Sequence, residues 1–259
     1  MNRGNGGMLA RSLEIVSLRS ALWLGFFGAI IVSWWQVYLM ASGQGSWFCG
    51  PDQVLMLPYL GLAALIPMWA VMMLAMMLPT LWPTLSTYDT LAVSSSSGWA
   101  GLVLGYGAVW AVGSVIFALL QMLAMQSGLL SVTGIAESRW TAAGLLALAG
   151  GWQFTRGKEI CQDACLSPMQ YFLGRFRPGF SGGLAMGAEI GLTCIGCCWA
   201  IMGLAFIGGM TSLVWMGIAT VFMVAEKLPQ IGQPLRKPAG FVLLAAAIWV
   251  AAAGLPVLT

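Results

Sequence analysis

The chain has 259 residues, 59% of them apolar and only 7% charged, where an average soluble domain has about 25% charged. That balance excludes an ordinary water-soluble globule, a disordered chain and a nucleic-acid-binding domain, and leaves a polytopic membrane protein in contact with a lipid bilayer. A net charge of +3 is too small to draw a polyanion, and the absence of histidine excludes His-ligated haem, His-rich zinc sites and catalysis by a histidine base.

Residues 1–19 are polar and basic and read as a cytoplasmic N-terminal tail. They are not a cleavable signal, because the apolar run behind them is too long and no small-residue cleavage site follows. Residues 20–259 read as a single membrane-embedded helical domain, an all-α polytopic transmembrane bundle. A spanning helix needs about 20 apolar residues, and about seven runs approach that: 20–40, 61–82, 101–125, 140–154, 182–207, 210–225 and 240–256. The fourth is short.

Between the first two runs lies Cys49, alone in a loop. The second run carries Met68, Met72 and Met76 at helical spacing, with Met73 and Met77 on the adjacent stripe. Thioethers are neutral and inexpensive to bury, and they are soft ligands that select Cu(I). On their own they read as adaptable core packing; their depth, comparable to that of the three thiols further along the chain, turns the reading toward a site. Pro67 and Pro79 bracket the stripe. The loop 83–98 has no cation. In the third run Gly101 and Gly105 are spaced for close helix contact, while Tyr106, Trp110 and Gln121 read as packing and weak polar contacts.

After the fourth run comes Lys158-Glu-Ile-Cys161-Gln-Asp-Ala-Cys165. Four-residue spacing on a helical turn aims both sulfurs one way, suited to two-thiolate Cu(I) ligation at the cytoplasmic face. Lys158, a turn away, is expected to lower both thiol pKa values. The fifth run holds Cys194-Ile-Gly-Cys197-Cys198-Trp199. At about 100° per residue the three thiols share a third of the circumference, and Met202 extends their face. Three thiols on one stripe near mid-membrane favour a site over incidental packing. Gly183, Gly187 and Gly191 mark a helix–helix contact, and Glu189, pointing away from the cysteine stripe on the helical wheel, reads equally as an intramembrane functional carboxylate or as a structural partner of Arg175 or Arg177.

Orientation follows from the cations. With the N-terminus inside, Arg3, Arg11, Arg19, Arg156, Lys158, Arg175, Arg177, Lys227, Arg236 and Lys237 are cytoplasmic, and Arg139 is outside. The expected location is a bacterial-type inner (plasma) membrane.

These residues resemble the family of predicted metal-binding integral membrane proteins, described as copper chaperones. The resemblance rests on the Met68–Pro79 run with Pro83, on Tyr106 and Trp110, and on Gly151, Gln153, Thr155, Lys158, Cys161, Cys165 and Pro168. It continues through Pro178-Gly179, Met186-Gly187, the Cys194–Trp199 string, Met202 and Glu226-Lys227. The chain departs from the family pattern at two points: no histidine precedes the cysteine string near Ile190, and Leu166 stands where the family has a cation. The resemblance implies delivery of the ion to a cuproenzyme or copper-carrier protein.

Together these readings give a non-enzymatic protein handling Cu(I) on Cys194, Cys197 and Cys198. Met72 and Met76 face the thiols, and Met68, Met73, Met77 and Met202 are secondary ligands. Cys161 and Cys165 receive or release the ion at the cytoplasmic face. No ATP motif appears, so transfer is passive, gradient-driven or tied to a partner, in a homo- or hetero-oligomer. The rivals are a membrane thiol–disulfide oxidoreductase and a non-catalytic assembly subunit.

Overall fold

A computed structural model describes residues 4–42, 58–91, 93–131, 133–210 and 212–253, with side chains described within these from 18 and from 61 onward. Cys49 lies outside the described residues. Among the described residues the regular secondary structure is helical, with one isolated bridge, Leu130–Ala136. Ten helices follow in order: α1 (Gly4–Ala41), α2 (Pro58–Thr90), α3 (Ser96–Gln126), α4 (Arg139–Trp152), α5 (Arg156–Leu166), α6 (Pro168–Arg175), α7 (Gly179–Gly203), α8 (Ala205–Gly208), α9 (Leu213–Glu226) and α10 (Gly232–Ala253).

Local chemistry starts several of them. Ser95, Ser138, Thr155 and Ser212 each accept the backbone N–H three residues on, from Gly98, Thr141, Lys158 and Trp215, satisfying an orphan donor of the first turn. Pro168 opens α6, where a missing N–H is harmless. The tail expected at 1–19 is continuous with the first span, since α1 begins at Gly4.

Among the described residues, five helices are long and apolar enough to cross a membrane: Leu18–Ala41, Gly61–Thr90, Ser96–Gln126, Gly179–Gly208 and Gly232–Ala253. Exposed Leu24, Ile31, Leu120, Val221, Phe241 and Ile248 give the bundle an apolar outside that water would not tolerate over so large an area. The runs at 140–154 and 210–225 form 14-residue helices, α4 and α9. At about 1.5 Å per residue these are roughly 21 Å long, short of the roughly 30 Å hydrocarbon layer.

Both stop inside the bundle. At the end of α4, Trp152 Nε1 donates to Gly196 O in the middle of α7 at 3.1 Å. At the end of α9, Gln162 of α5 donates to Glu226 O at 3.1 Å and to Gly232 O at 2.9 Å. One side-chain amide thus serves carbonyls on both sides of the α9–α10 break. Freed carbonyls inside apolar surroundings need such partners.

The long helices pack in a consistent sense. α3 and α7 run parallel and touch backbone to backbone. A Cβ on Gly183 would strike Gly98 O, one on Gly187 would strike Leu102 O, and one on Gly105 would strike Leu184 O. This is the close approach that the glycine spacing foretells. α2 runs antiparallel to α3, with Trp69 paired to Gln121 and Met77 O to Tyr106. At one end Arg19 pairs with Asp89 and bonds Ser94, so the cation-free loop after α2 lies at the same end as Arg19. At the opposite end Ala136 N donates to Phe206 O.

Candidate metal centre

The i, i+3, i+4 spacing on α7 brings Cys194, Cys197 and Cys198 together. Their sulfurs all lie within 4.8 Å of one another, buried, with Cys197 and Cys198 Sγ 3.2 Å apart. α5 delivers two more thiols to the same place. Cys165 hydrogen-bonds to Cys197, and Cys161 Sγ lies against Gly196, where a Cβ would come within 2.6 Å of it. Glycine at 196 therefore makes room for the thiol of α5. Cys161 and Cys165, expected as a separate station at the cytoplasmic face, adjoin the α7 trio. All five thiols are free.

Two buried lysines hold the surrounding layer. Lys158 Nζ donates to Cys197 O and to Glu226 Oε2, both at 2.7 Å, with the pair 0% and 2% exposed. Lys227 Nζ donates to Cys194 Sγ and to Thr80 Oγ1, both at 2.8 Å. Tyr106 OH lies 3.1 Å from Cys194 Sγ and donates to Met77 O at 3.2 Å. A buried ammonium needs negative charge near it, and the thiols supply that charge when deprotonated. Lys158 and Lys227 enter the sequence as topology markers in aqueous loops; the structure buries both.

The position of Lys158 also decides the thiol chemistry of α5. Burial, the largest single influence, pulls its ammonium down, but the Glu226 carboxylate together with Cys197 and Cys198 outweighs that and leaves its pKa raised. The lowering of both α5 thiols expected from Lys158 does not occur. Burial, then the neighbouring Cys197, hold the Cys161 thiol above its usual range, and Lys158 offsets them only in part. The hydrogen bond to Cys197, then burial, hold Cys165 well above it.

Met72, Met76 and Met202 line one small cavity together with Met216 of α9, Trp69 and Trp215. Met68, Met73 and Met77 are buried in the core and do not line it. Met73 Sδ instead accepts from Ser114 Oγ of α3 at 3.2 Å. On the other side of the thiols an open cleft of about 400 Å³ is walled by Thr84, Cys165, Tyr171, Arg175, Glu189 and Thr193, among others. Glu189 accepts from Tyr171 OH at 2.8 Å and pairs with Arg177 and Arg175 at 3.1 and 3.6 Å. These contacts tie α6 and the segment after it to α7, the structural one of the two roles expected of Glu189.

Sequence reasoning missed Thr80, Glu226 and Met216 as parts of this centre, and took Tyr106 for packing. Glu226-Lys227, two opposite charges closing an apolar run, was the one local signal available.

A family model for PpoB2, described as a copper chaperone, matches residues 66–250. The chain belongs to that family. The matched stretch contains all five clustered thiols, both buried lysines and the methionine cavity. No curated protein and no solved structure matches the chain. Membership in a copper chaperone family and the buried thiol cluster together point to copper handling.

Proposed function

We propose that this protein is an integral membrane copper chaperone. It holds Cu(I) on Cys194, Cys197 and Cys198, with Cys161 and Cys165 exchanging the ion between that trio and the open cleft. The observation that carries this reading is the convergence of five free thiols from two helices beside the Lys227 ammonium. Thiolates are the soft ligands Cu(I) prefers, and a Cu(I)–thiolate group is anionic. In apolar surroundings its charge is costly, and the ammonium 2.8 Å from Cys194 Sγ offsets it. Binding requires deprotonated thiols and so releases protons.

The cation count supports an N-terminus inside, with the cleft, α6 and Arg19 on the cytoplasmic side of a bacterial-type inner membrane. α4 and α9 then act as half-length elements whose inner ends meet at the thiols, in the manner of discontinuous helices that line intramembrane ion sites. The ion passes by ligand exchange to a cuproenzyme or copper carrier.

The test is metal analysis of the full-length protein purified in detergent, beside a Cys194→Ser/Cys197→Ser/Cys198→Ser variant. The wild type is expected to hold more copper than the variant, which loses the thiol-bound ion. Equal copper in the two defeats the reading. Thiol trapping on the same samples addresses the oxidoreductase rival, since a reversible disulfide within the cluster is expected of that rival and not of a chaperone.

A further inference from the structure

We propose a second soft-metal site, made only of thioethers, at Met72, Met76, Met202 and Met216, running from the level of Cys198 to one helical turn beyond the thiols. It rests on the preceding reading only for the identity of the ion.

The placement follows from two antiparallel helices. On α2, Thr80 meets Lys227 at the level of Cys194. Met76 and Met72 lie one and two turns from Thr80 on the same stripe. On α7, Met202 lies one turn from Cys198, in the matching direction. α9 closes the fourth side with Met216. The four residues are buried, 3%, 3%, 3% and 0% exposed, and all four line one cavity.

The chemistry of the lining narrows the occupant. The enclosed space is about 10 Å³, about one water-sized sphere. Besides the four methionines, its walls are Trp69, Ile201, Ala205, Trp215 and Ala219. The polar side-chain atoms among them are two indole N–H groups, and that of Trp69 already donates to Gln121 Oε1 at 2.8 Å. Water needs two to four polar partners, and these walls do not offer them. A hard cation needs oxygen ligands, which the lining side chains lack. A soft monovalent cation suits walls that carry four methionines, and indole faces tolerate positive charge. Flexible methionines normally fill gaps in a core; here four of them leave an ion-sized space.

Thioethers carry no charge, so this site holds the ion more weakly than the thiols. That is what a transfer position needs, since an ion bound too tightly does not leave. The ion moves by exchange of sulfur ligands, stays Cu(I), and no electron or proton passes at the thioethers.

The experiment uses the full-length protein in detergent micelles, titrated anaerobically with Cu(I) against a chromophoric chelator, and separately with Ag(I). A variant with all five clustered cysteines changed to serine is expected to keep one bound ion, with a sulfur-only coordination shell in X-ray absorption. Adding Met72→Leu, Met76→Leu, Met202→Leu and Met216→Leu, nearly volume-conserving changes, is expected to abolish that ion. The same leucine set on the wild-type background is expected to remove the weaker bound ion and spare the tighter one, which keeps the test decisive if the five-serine variant fails to fold. The second site is overturned if wild type and leucine variant bind equal numbers of ions with equal affinities. Failure of the thiol reading looks different: the five-serine variant then keeps every ion the wild type holds.

Discussion

The sharpest structural prediction concerns Lys158 and Glu226. Their charged atoms stand 2.7 Å apart, 0% and 2% exposed. At an effective dielectric near 20 the gross attraction is about 6 kcal/mol, and the cost of stripping both ions of water consumes most of it. The pair is thus close to neutral as a unit, whereas either half alone is not. Lys158→Met strands the Glu226 carboxylate in the core and takes a donor from Cys197 O. The expected loss is about 3–5 kcal/mol of unfolding free energy. Lys158→Met combined with Glu226→Leu removes both charges, and stability is expected to return to within about 1 kcal/mol of wild type. Denaturant titration of the full-length protein in micelles, followed by far-UV circular dichroism, measures all three. The reasoning fails if Lys158→Met unfolds within about 1 kcal/mol of wild type, or if the double variant is as damaged as the single.

Two further outcomes follow from the same geometry. Gly187→Ala places a Cβ against the Leu102 carbonyl of α3; backbone cannot rotate aside, so α3 and α7 must part, with an expected cost of at least about 1–3 kcal/mol in the same titration. A variant as stable as wild type contradicts the backbone contact. The second outcome concerns thiol reactivity: burial holds the Cys161 thiol above its usual range and only the thiolate reacts, so its alkylation rate is expected to climb with pH to a midpoint above the roughly 8.5 of a free cysteine. Peptide mass spectrometry gives that profile, and a midpoint at or below the free value refutes the assignment.

What could be read from the sequence is what repeats along a single helix. The thiol stripe of α7 and the glycines at 183 and 187 are spaced by one turn or nearly so, and the structure realises each as a shared face. The meeting of α5 with α7 is different. Nothing local to Cys161 or Cys165 says that Gly196 is missing a side chain to receive one of them. The halting of α4 and α9 was also hidden, because fourteen apolar residues look the same in a half-length helix and in a short span. Their stopping points depend on Trp152 reaching Gly196 O and on Gln162 reaching two carbonyls of a distant break. Lys158 and Lys227 misled for a related reason. A lysine near the end of an apolar run is ordinarily in water, and its burial becomes affordable only through a partner 68 positions away for Lys158 and 33 positions away for Lys227.

That pairing also bears on where each kind of sulfur can stand in the bundle. A thiolate brings charge, so it must stand where the fold has already buried cations and opened backbone, which is the level of Lys158, Lys227 and the two helix breaks. A thioether brings none and can line the fully apolar stretch between α2, α7 and α9. With so few charges in the chain, the proposed scheme has the lysines set where cysteine acts as a metal ligand, with methionine taking over further along α2 and α7. The proposed order, thiol then thioether, follows the cost of burying ligand charge; at the thioethers the ion's own charge goes uncompensated, which weakens its hold there.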